Sequence, residues 1–155
     1  VKTQQFAAPK YVGDPLNAVR TFNEKFVDEL MILDIGATAQ GTGPNFGLIA
    51  DIATECFMPM SYGGAISSMK QAASILASGV EKVVMNTALS QNPHLIEECA
   101  HEFGSQAVVA SLDYRRNLWG KYVLHNRASD NGDPIAMARR AEDLGAGELI
   151  VTAVN

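Results

Sequence analysis

Two polar segments of this sequence are suited to binding an anion. Residues 61–67 (SYGGAIS) follow an apolar run and precede a helical pattern, and residues 86–87 (NT) repeat this arrangement after the next strand. Backbone N–H groups at a helix start attract anions, and neighbouring loops at the carboxyl ends of parallel strands bind phosphate in α/β barrels. Without the second loop, the two glycines would favour a simple tight turn. Together the loops predict a phosphate site that uses Ser61, Gly63, Gly64, Ser67, Asn86 and Thr87.

Asp113 ends an apolar strand and is the candidate for proton transfer. A carboxylate at the carboxyl end of a barrel strand projects from a rigid element, as a general acid or base should. On position alone, a helix-capping or loop aspartate is about equally expected. Asp34 also ends a strand, but side-chain alternation turns it to the other face, so we predict a supporting role.

A repeated pattern predicts a layer of charge at the opposite ends of the strands. Residues 76–87 and 142–153 each contain a glycine after a helix, a charged residue that opens a strand and a polar residue that closes it. The opening charges are Lys82 and Glu148, and Glu29 opens an earlier strand in the same phase. Solvent-facing charges are the alternative, but opposite signs in one phase favour an internal ring.

Alternating apolar strands and helices of about ten residues predict the elements that position these groups. The predicted strands are residues 29–34, 57–62, 82–86, 106–113 and 147–154, and the predicted helices are residues 15–25, 46–55, 68–78, 93–103 and 134–144. Asp14-Pro15 and Asp133-Pro134 are typical helix starts. The fold class predicted is α/β, a partial (β/α)8 TIM barrel with about strands two to six. Trp119-Gly120 predicts the turn of a β-hairpin that could serve as a lid.

Composition excludes several classes of protein. The 155 residues are 47% hydrophobic and 19% charged, which is typical of one globular domain. The net charge of −5 and the absence of basic runs argue against nucleic acid as a partner. No apolar run is long enough to span a membrane and no leader is evident, so we expect a cytoplasmic protein. Neither the two cysteines nor the three histidines have metal-ligand spacing, and we expect no metal and no cofactor.

The sequence resembles the cyclase subunit of imidazole glycerol phosphate synthase, a (β/α)8 barrel of histidine biosynthesis. The similarity covers essentially the whole chain. The segments that carry it are FNEKFVDELMILDI, MPMSYGGAISS, GVEKVVMNTAL, NPHLIEECAHEFGSQAVVASLD and LGAGELIVTAV.

The resemblance implies a lyase that uses ammonia from a glutaminase (amidotransferase) subunit docked at the N-terminal face of the barrel. Asp113 matches the second of two catalytic aspartates. The residues implied for the phosphorylated substrate are Lys2, in a flexible first loop, with Gly63, Gly64, Ala65, Asn86, Thr87 and Thr152. Glu29, Lys82 and Glu148 match a charged gate through which ammonia enters.

The sequence departs from that family at several points. The strand with the first catalytic aspartate would precede Val1 and the last two strands would follow Asn155, so we expect one incomplete domain over 1–155 that is inactive and aggregation-prone by itself. Ala65 replaces a usual third glycine, and Asn155 replaces an aspartate. SYGG and DYRRNLWGKYVL are closer to variants that work beside an amidotransferase in O-antigen sugar synthesis. That activity and a catalytically empty ligand-binding module are the alternatives.

Overall fold

A computed structural model describes residues 2–4, 7–11, 13–125 and 132–154, with side chains from Tyr11 onward. The chain divides into two compact units, Val1–Val83 and Val84–Asn155, which are described separately.

The first unit contains a parallel strand pair with helices. Its strands are β1 (Lys2–Gln4), β2 (Ala7–Lys10), β3 (Leu30–Leu33) and β4 (Met60–Gly63), and its helices are α1 (Pro15–Glu24), α2 (Ala37–Gln40), α3 (Phe46–Glu55) and α4 (Met69–Ala77). Strands β1 and β2 are antiparallel, whereas β3 and β4 are parallel with Leu30 opposite Met60 and Leu33 opposite Gly63. Strand β5 (Lys82–Met85) leads from this unit to the next.

The second unit is built around one long strand. Its helices are α5 (Thr87–Gln91), α6 (Pro93–Phe103) and α7 (Pro134–Asp143), and its further strands are β6 (Val108–Arg116), β7 (Tyr122–Leu124) and β8 (Glu148–Ala153). Strand β6 pairs with β8 in parallel and with β7 in antiparallel orientation. The β6–β7 pair is the predicted hairpin, and Gly120 lies in its turn with φ +75°.

Side-chain caps explain why the main helices begin where they do. The cap residues of α1, α3, α4 and α7, whose side chains accept a backbone N–H of the first turn, are Asp14, Asn45, Ser68 and Asp133. Proline follows the cap in α1 and α7, where its missing N–H costs nothing. The predicted starts at Asp14 and Asp133 are therefore confirmed.

Burial is complete on some strands and alternates on others. All four residues of β4 and the first five of β6 are buried, as predicted for strands with two apolar faces. In β3 and β8 burial is incomplete, since Met31, Leu33 and Val151 are 36%, 45% and 58% exposed. Among the described strands, β3 pairs only with β4 and β8 only with β6, so one edge of each lies open.

Other differences concern short elements. The loops predicted after β3 and β5 contain the one-turn helices α2 and α5. The strand predicted from Phe57 begins only at Met60, after Pro59, which has no N–H to donate to a ladder. Within the described residues, no helix has the length and apolar character needed to cross a bilayer.

Candidate active site

Register in the second unit places Asp113 and Thr152 side by side. Residues 109–114 of β6 pair in parallel with residues 148–153 of β8, which sets Asp113 opposite Thr152 and Val109 opposite Glu148. Directly paired residues of parallel strands project to the same face. Asp113 and Thr152 therefore lie on the same face of the sheet, with Glu148 at the start of β8 and Thr152 near its end.

The Asp113 carboxylate is held by hydrogen bonds from two other elements. Asn86, which follows β5, donates from Nδ2 to Asp113 Oδ2 at 2.8 Å, and the same Nδ2 lies 3.5 Å from Ser111 Oγ. The Thr152 hydroxyl also donates to the carboxylate. The backbone N–H of His125 donates to the Asp113 backbone carbonyl at 2.7 Å, which holds the end of β7 against β6 at Asp113. We call Asn86, Ser111, Asp113, His125 and Thr152 the Asp113 cluster.

Burial raises the pKa of Asp113 above that of an ordinary aspartate. The hydrogen bonds from Asn86 and Thr152 and the charge of His125 act in the opposite direction without cancelling the effect of burial. A carboxylate with a raised pKa is a stronger base and can both take up and return a proton nearer to neutral pH. The cluster is thus chemically suited to proton transfer.

The cleft beside Asp113 is small. Asn86, Ser90, Ser111, Leu124 and Asp113 line it, and the volume open to water is about 0 Å³. Asp113 itself is half-buried. Leu124 belongs to the β6–β7 hairpin, so a displacement of this hairpin would widen the cleft.

In the first unit, Glu29 and Lys82 form an ion pair, and Ser61 contacts the same carboxylate. Lys82 Nζ lies 3.1 and 3.2 Å from the two Glu29 carboxylate oxygens, and Ser61 Oγ donates to Glu29 Oε1 at 2.8 Å. Ser61 is fully buried, and the Lys82 side chain is 17% exposed. The hydrogen bonds from Ser61 and Lys82 lower the pKa of Glu29, so the carboxylate stays ionised.

Two of the three predicted gate residues are therefore brought together. Glu29 precedes β3 and Lys82 opens β5, which agrees with a pairing of opposite charges at strand starts. Glu148 opens β8 in the second unit and is exposed there. A three-residue ring that includes Glu148 stays a prediction.

The glycine turn, residues 63–67, packs tightly against Asp34. A Cβ atom at Gly64, whose φ is +152°, would lie 2.7 Å from Asp34 Cβ and 2.9 Å from the Asp34 carbonyl oxygen. Asp34 N–H donates to the Gly63 carbonyl at 2.7 Å. Asp34 Oδ1 in turn accepts the N–H groups of Gly36 and Ala37 at 3.1 and 3.0 Å. Asp34 thus joins the segments that follow β3 and β4, a geometry in keeping with the supporting role predicted for it.

Ala65 has a left-handed backbone. Its φ is +50°, a conformation that crowds the Cβ atom of an L-residue against the following carbonyl. The resemblance had placed a glycine here, and glycine adopts this conformation without strain. The turn has therefore kept the glycine geometry although the residue has changed.

Some polar groups predicted to cradle an anion have partners within the protein. Ser61 directs its hydroxyl to Glu29. Ser67 donates its N–H and its hydroxyl to Gln71 Oε1 at 2.8 and 3.1 Å, and Gln71 N–H donates to Ser68 Oγ at 3.3 Å. The remaining candidates of this turn are thus the Gly63–Ala65 backbone rather than the serines on either side.

The other predicted substrate residues belong to different elements. Thr87 opens α5 directly after Asn86, and the backbone of Lys2 opens β1, while its side chain lies outside the described residues. That the glycine turn and the Asn86-Thr87 loop share one phosphate stays a prediction. Among the described residues, no group of three or more His, Cys, Asp or Glu could hold a metal ion.

Ser111 and Tyr62 were not among the predicted site residues, and Ser61 was predicted to cradle an anion rather than to contact Glu29. Ser111 lies on the face of Asp113, and alternation along β6 was a sufficient signal for it. Ser61 is a lone hydroxyl in a buried strand, but its partner Glu29 is far away in sequence. Tyr62 lies against the glycine turn, since its hydroxyl oxygen is 3.1 Å from the position that a Cβ atom would take at Gly64. No local pattern indicates that approach.

Comparison with known proteins identifies the family of the chain. A family model described as "Histidine biosynthesis protein" matches residues 1–155. The whole chain is 47% identical to the putative imidazole glycerol phosphate synthase subunit hisF2 of Pseudomonas aeruginosa and 41% identical to the putative subunit HisF of Leptospira interrogans. It is 38% identical to the imidazole glycerol phosphate synthase subunit HisF of Bacillus cereus (strain G9842). The chain spans 63% of the length of each of these relatives.

Proposed function

Because this chain belongs to the histidine biosynthesis protein family, we propose that it carries out, within an intact protein, the cyclase reaction of an imidazole glycerol phosphate synthase. Membership in this TIM-barrel family confirms the predicted fold class. The proposed reaction takes ammonia and an open-chain phosphoribosyl substrate and closes an imidazole ring. The observation that carries the proposal is the Asp113 cluster, in which a partly buried carboxylate on β6 accepts hydrogen bonds from Asn86 and Thr152.

Asp113 is proposed to move protons during ring closure. Burial keeps its pKa raised, while Asn86 and Thr152 hold the carboxylate in one orientation. A substrate that enters the cleft would replace part of this hydrogen bonding with its own hydroxyl or amine groups. The carboxylate would then act first as a base and afterwards as an acid, without leaving β6.

The glycine turn is proposed to bind a phosphate group of the substrate, together with Asn86, Thr87, Thr152 and Lys2. Its support is the strained backbone at Ala65 and the tight contact of Gly64 with Asp34, which hold the turn in one conformation. A rigid turn presents its amides without a further entropy cost on binding. Asn86 and Thr152 donate to the Asp113 carboxylate, which would repel a phosphate group, so binding by these two residues requires that they turn from Asp113 to the phosphate.

The Glu29–Lys82 pair is proposed to gate the entry of ammonia from a glutaminase subunit. Both side chains stand where their strands begin, and the pair closes through two short contacts. The partner would dock at this end of the strands, with Glu148 completing the gate. Neutral ammonia could pass when Lys82 turns away from Glu29, whereas the charge of the lysine would repel hydrated cations.

A second candidate is the related partner of an amidotransferase in bacterial surface-sugar synthesis. It is favoured by Ala65, which stands at a position with a glycine conformation and alters the turn that would bind phosphate. The two candidates share the chemistry of ammonia and differ in the substrate.

Turnover with ammonium salt tests the proposal. The intact protein that carries this sequence should convert the open-chain phosphoribosyl substrate to an imidazole product, measured by liquid chromatography and mass spectrometry. Ammonium dependence without a glutaminase would show that the nitrogen reaches the site as free ammonia. Consumption of ammonia with a nucleotide-sugar substrate alone would favour the second candidate. Phosphate binding without turnover on either substrate would contradict both enzymatic functions.

A further inference from the structure

His125, which follows β7, lies opposite Asp113 across the β6–β7 hairpin. The register pairs Tyr114 with Leu124, so the next pair away from the turn is Asp113 with His125. The backbone N–H of His125 donates to the Asp113 carbonyl at 2.7 Å, in keeping with this pair. Side chains directly opposite each other on antiparallel strands project to one face, with their Cβ atoms about 4.5 to 5.5 Å apart. Asp113 therefore lies between the imidazole of His125 on one side and Thr152 of β8 on the other.

The imidazole of His125 acts on the carboxylate across this short separation. Burial raises the pKa of Asp113, and the charge of His125 is one of the effects that lower it. Both residues are half-buried, so solvent screens their interaction only in part, while each keeps some surface accessible. Imidazole and carboxylate groups are the side chains that most often transfer protons in enzymes. The pair thus combines two proton-transfer groups of different kinds on one face.

Other charged groups near His125 come from β6 and from the segment before α7. Arg115 is two positions beyond Asp113 along β6, so it adds positive charge to the same face. Asp133 follows Gly132, whose carbonyl accepts the backbone N–H of Leu124 at 2.9 Å. The Asp133 carboxylate accepts the Ile135 N–H at 3.0 Å and so caps α7. Among the described residues, Asp113 is therefore the carboxylate directly opposite His125.

We propose that His125 is a second proton carrier of the Asp113 site, an inference that rests on the proposed cyclase function. Closure of an imidazole ring between an amine and a carbonyl carbon ends with the loss of water from a carbon that carries a hydroxyl and an N–H group. In this step Asp113 takes the proton from nitrogen, and the His125 imidazolium gives its proton to the departing hydroxyl. The C–O bond breaks, a C–N double bond forms, and water leaves.

The pairing of Asp113 with His125 also restores the site after this step. Asp113 then holds a proton and His125 is neutral, so passage of one proton across the two strands returns both groups to their starting forms. Their position on one face lets a single reacting carbon lie within reach of both. Base and acid are thus supplied by two neighbouring strands.

The first experiment measures the coupling of the two groups in the chain itself. The pKa of Asp113 is followed by its carboxyl ¹³C signal in the parent and in His125→Gln. We expect the pKa of Asp113 to rise further in His125→Gln, because a neutral amide replaces the positive charge opposite the carboxylate. His101→Gln, at an exposed position of α6, is the matched control and should leave this pKa unchanged. An unchanged or lower pKa in His125→Gln would overturn the proposed pair.

The second experiment measures turnover with ammonium salt in the intact protein. The parent should show a bell-shaped pH–rate profile, whose alkaline limb reports the loss of the proton from His125. In His125→Gln, kcat should fall about 100- to 10,000-fold with little change in KM, and the alkaline limb should disappear. His101→Gln should keep the parent profile. In His125→Ala, added imidazole should restore turnover saturably, which a residue that acts only through packing would not allow.

The outcomes separate this inference from the proposed function. Turnover by the parent with the alkaline limb preserved in His125→Gln would overturn the role of His125 and leave the cyclase function intact. A lower kcat without any response of His125→Ala to imidazole, in protein that circular dichroism shows to be folded, would mean that His125 is structural. Absence of turnover in the parent would contradict the cyclase function itself, and with it the second proton carrier.

Discussion

Adding a methyl group at Gly64 and removing one at Ala65 should have opposite effects on stability. In Gly64→Ala the new Cβ would meet Asp34 Cβ at 2.7 Å and the Asp34 carbonyl oxygen at 2.9 Å. The second contact is with backbone, which cannot rotate away. The φ of +152° is a further penalty, because L-residues rarely adopt it.

The magnitudes follow from these two sources of strain. An unfavourable backbone conformation costs about 1 to 3 kcal/mol, and an overpacked methyl group costs about 1 to 3 kcal/mol more. We therefore expect Gly64→Ala to lower the free energy of unfolding by about 2 to 5 kcal/mol. For Ala65→Gly, relief of about 1 to 2 kcal/mol is offset by about 0.4 to 1 kcal/mol of added unfolded-chain entropy. A net gain of about 0.5 to 1 kcal/mol remains.

Urea unfolding followed by circular dichroism measures both changes. The two variants and the parent chain should have equal slopes in urea, so that a shift of the midpoint reports stability alone. Thr54→Ala, at an exposed position of α3 in the same unit, serves as the control variant. Unchanged stability of Gly64→Ala, or a loss of more than about 1 kcal/mol in Ala65→Gly, would refute the strain assigned to this turn.

Three further predictions concern other parts of the molecule. Glu29→Gln should lower the free energy of unfolding by about 1 kcal/mol at neutral pH, since its charged hydrogen bonds are partly exposed. The pKa of Glu29 is lowered in the folded protein, so the stability difference between the parent and Glu29→Gln should shrink as the pH falls below about 4. A constant difference down to pH 2 would contradict this prediction. Met31→Lys on the open edge of β3 should reduce self-association, as measured by light scattering. An unchanged mass distribution would show that this edge does not mediate self-association. Asn86→Ala should raise the pKa of Asp113 further, because a hydrogen bond that favours the charged form is lost. Titration followed by the carboxyl ¹³C signal measures this pKa, and an unchanged or lower value would contradict the prediction.

Local signals in the sequence predicted the main elements well. Helix starts at Asp14 and Asp133 depend on a side-chain cap and a following proline, which act within a few residues. Strand phase depends on alternation alone, whereas the register of β6 against β8 sets Asp113 beside Thr152. The short helices α2 and α5 have too few residues to form without tertiary contacts, so their sequences carried no periodic pattern.

The details of the site depended on distant contacts. Alanine has no preference for a positive φ, and only the fold around the glycine turn imposes it on Ala65. The pairing of Ser61 with Glu29 joins residues that are 32 positions apart, and neither residue indicates the other.

The most direct test of the central claim is the rate of ring closure in Asp113→Asn. In the intact protein supplied with ammonium salt, turnover should fall about 100- to 10,000-fold while KM changes little, because asparagine keeps the shape but cannot carry the proton. The parent enzyme should also show an acidic limb in its pH–rate profile above the usual aspartate range, since burial raises the pKa of Asp113, and the variant should lack this limb. Asp51→Asn, at an exposed position in α3, is the matched control and should turn over normally. Near-normal turnover in Asp113→Asn, with the acidic limb preserved, would contradict the account.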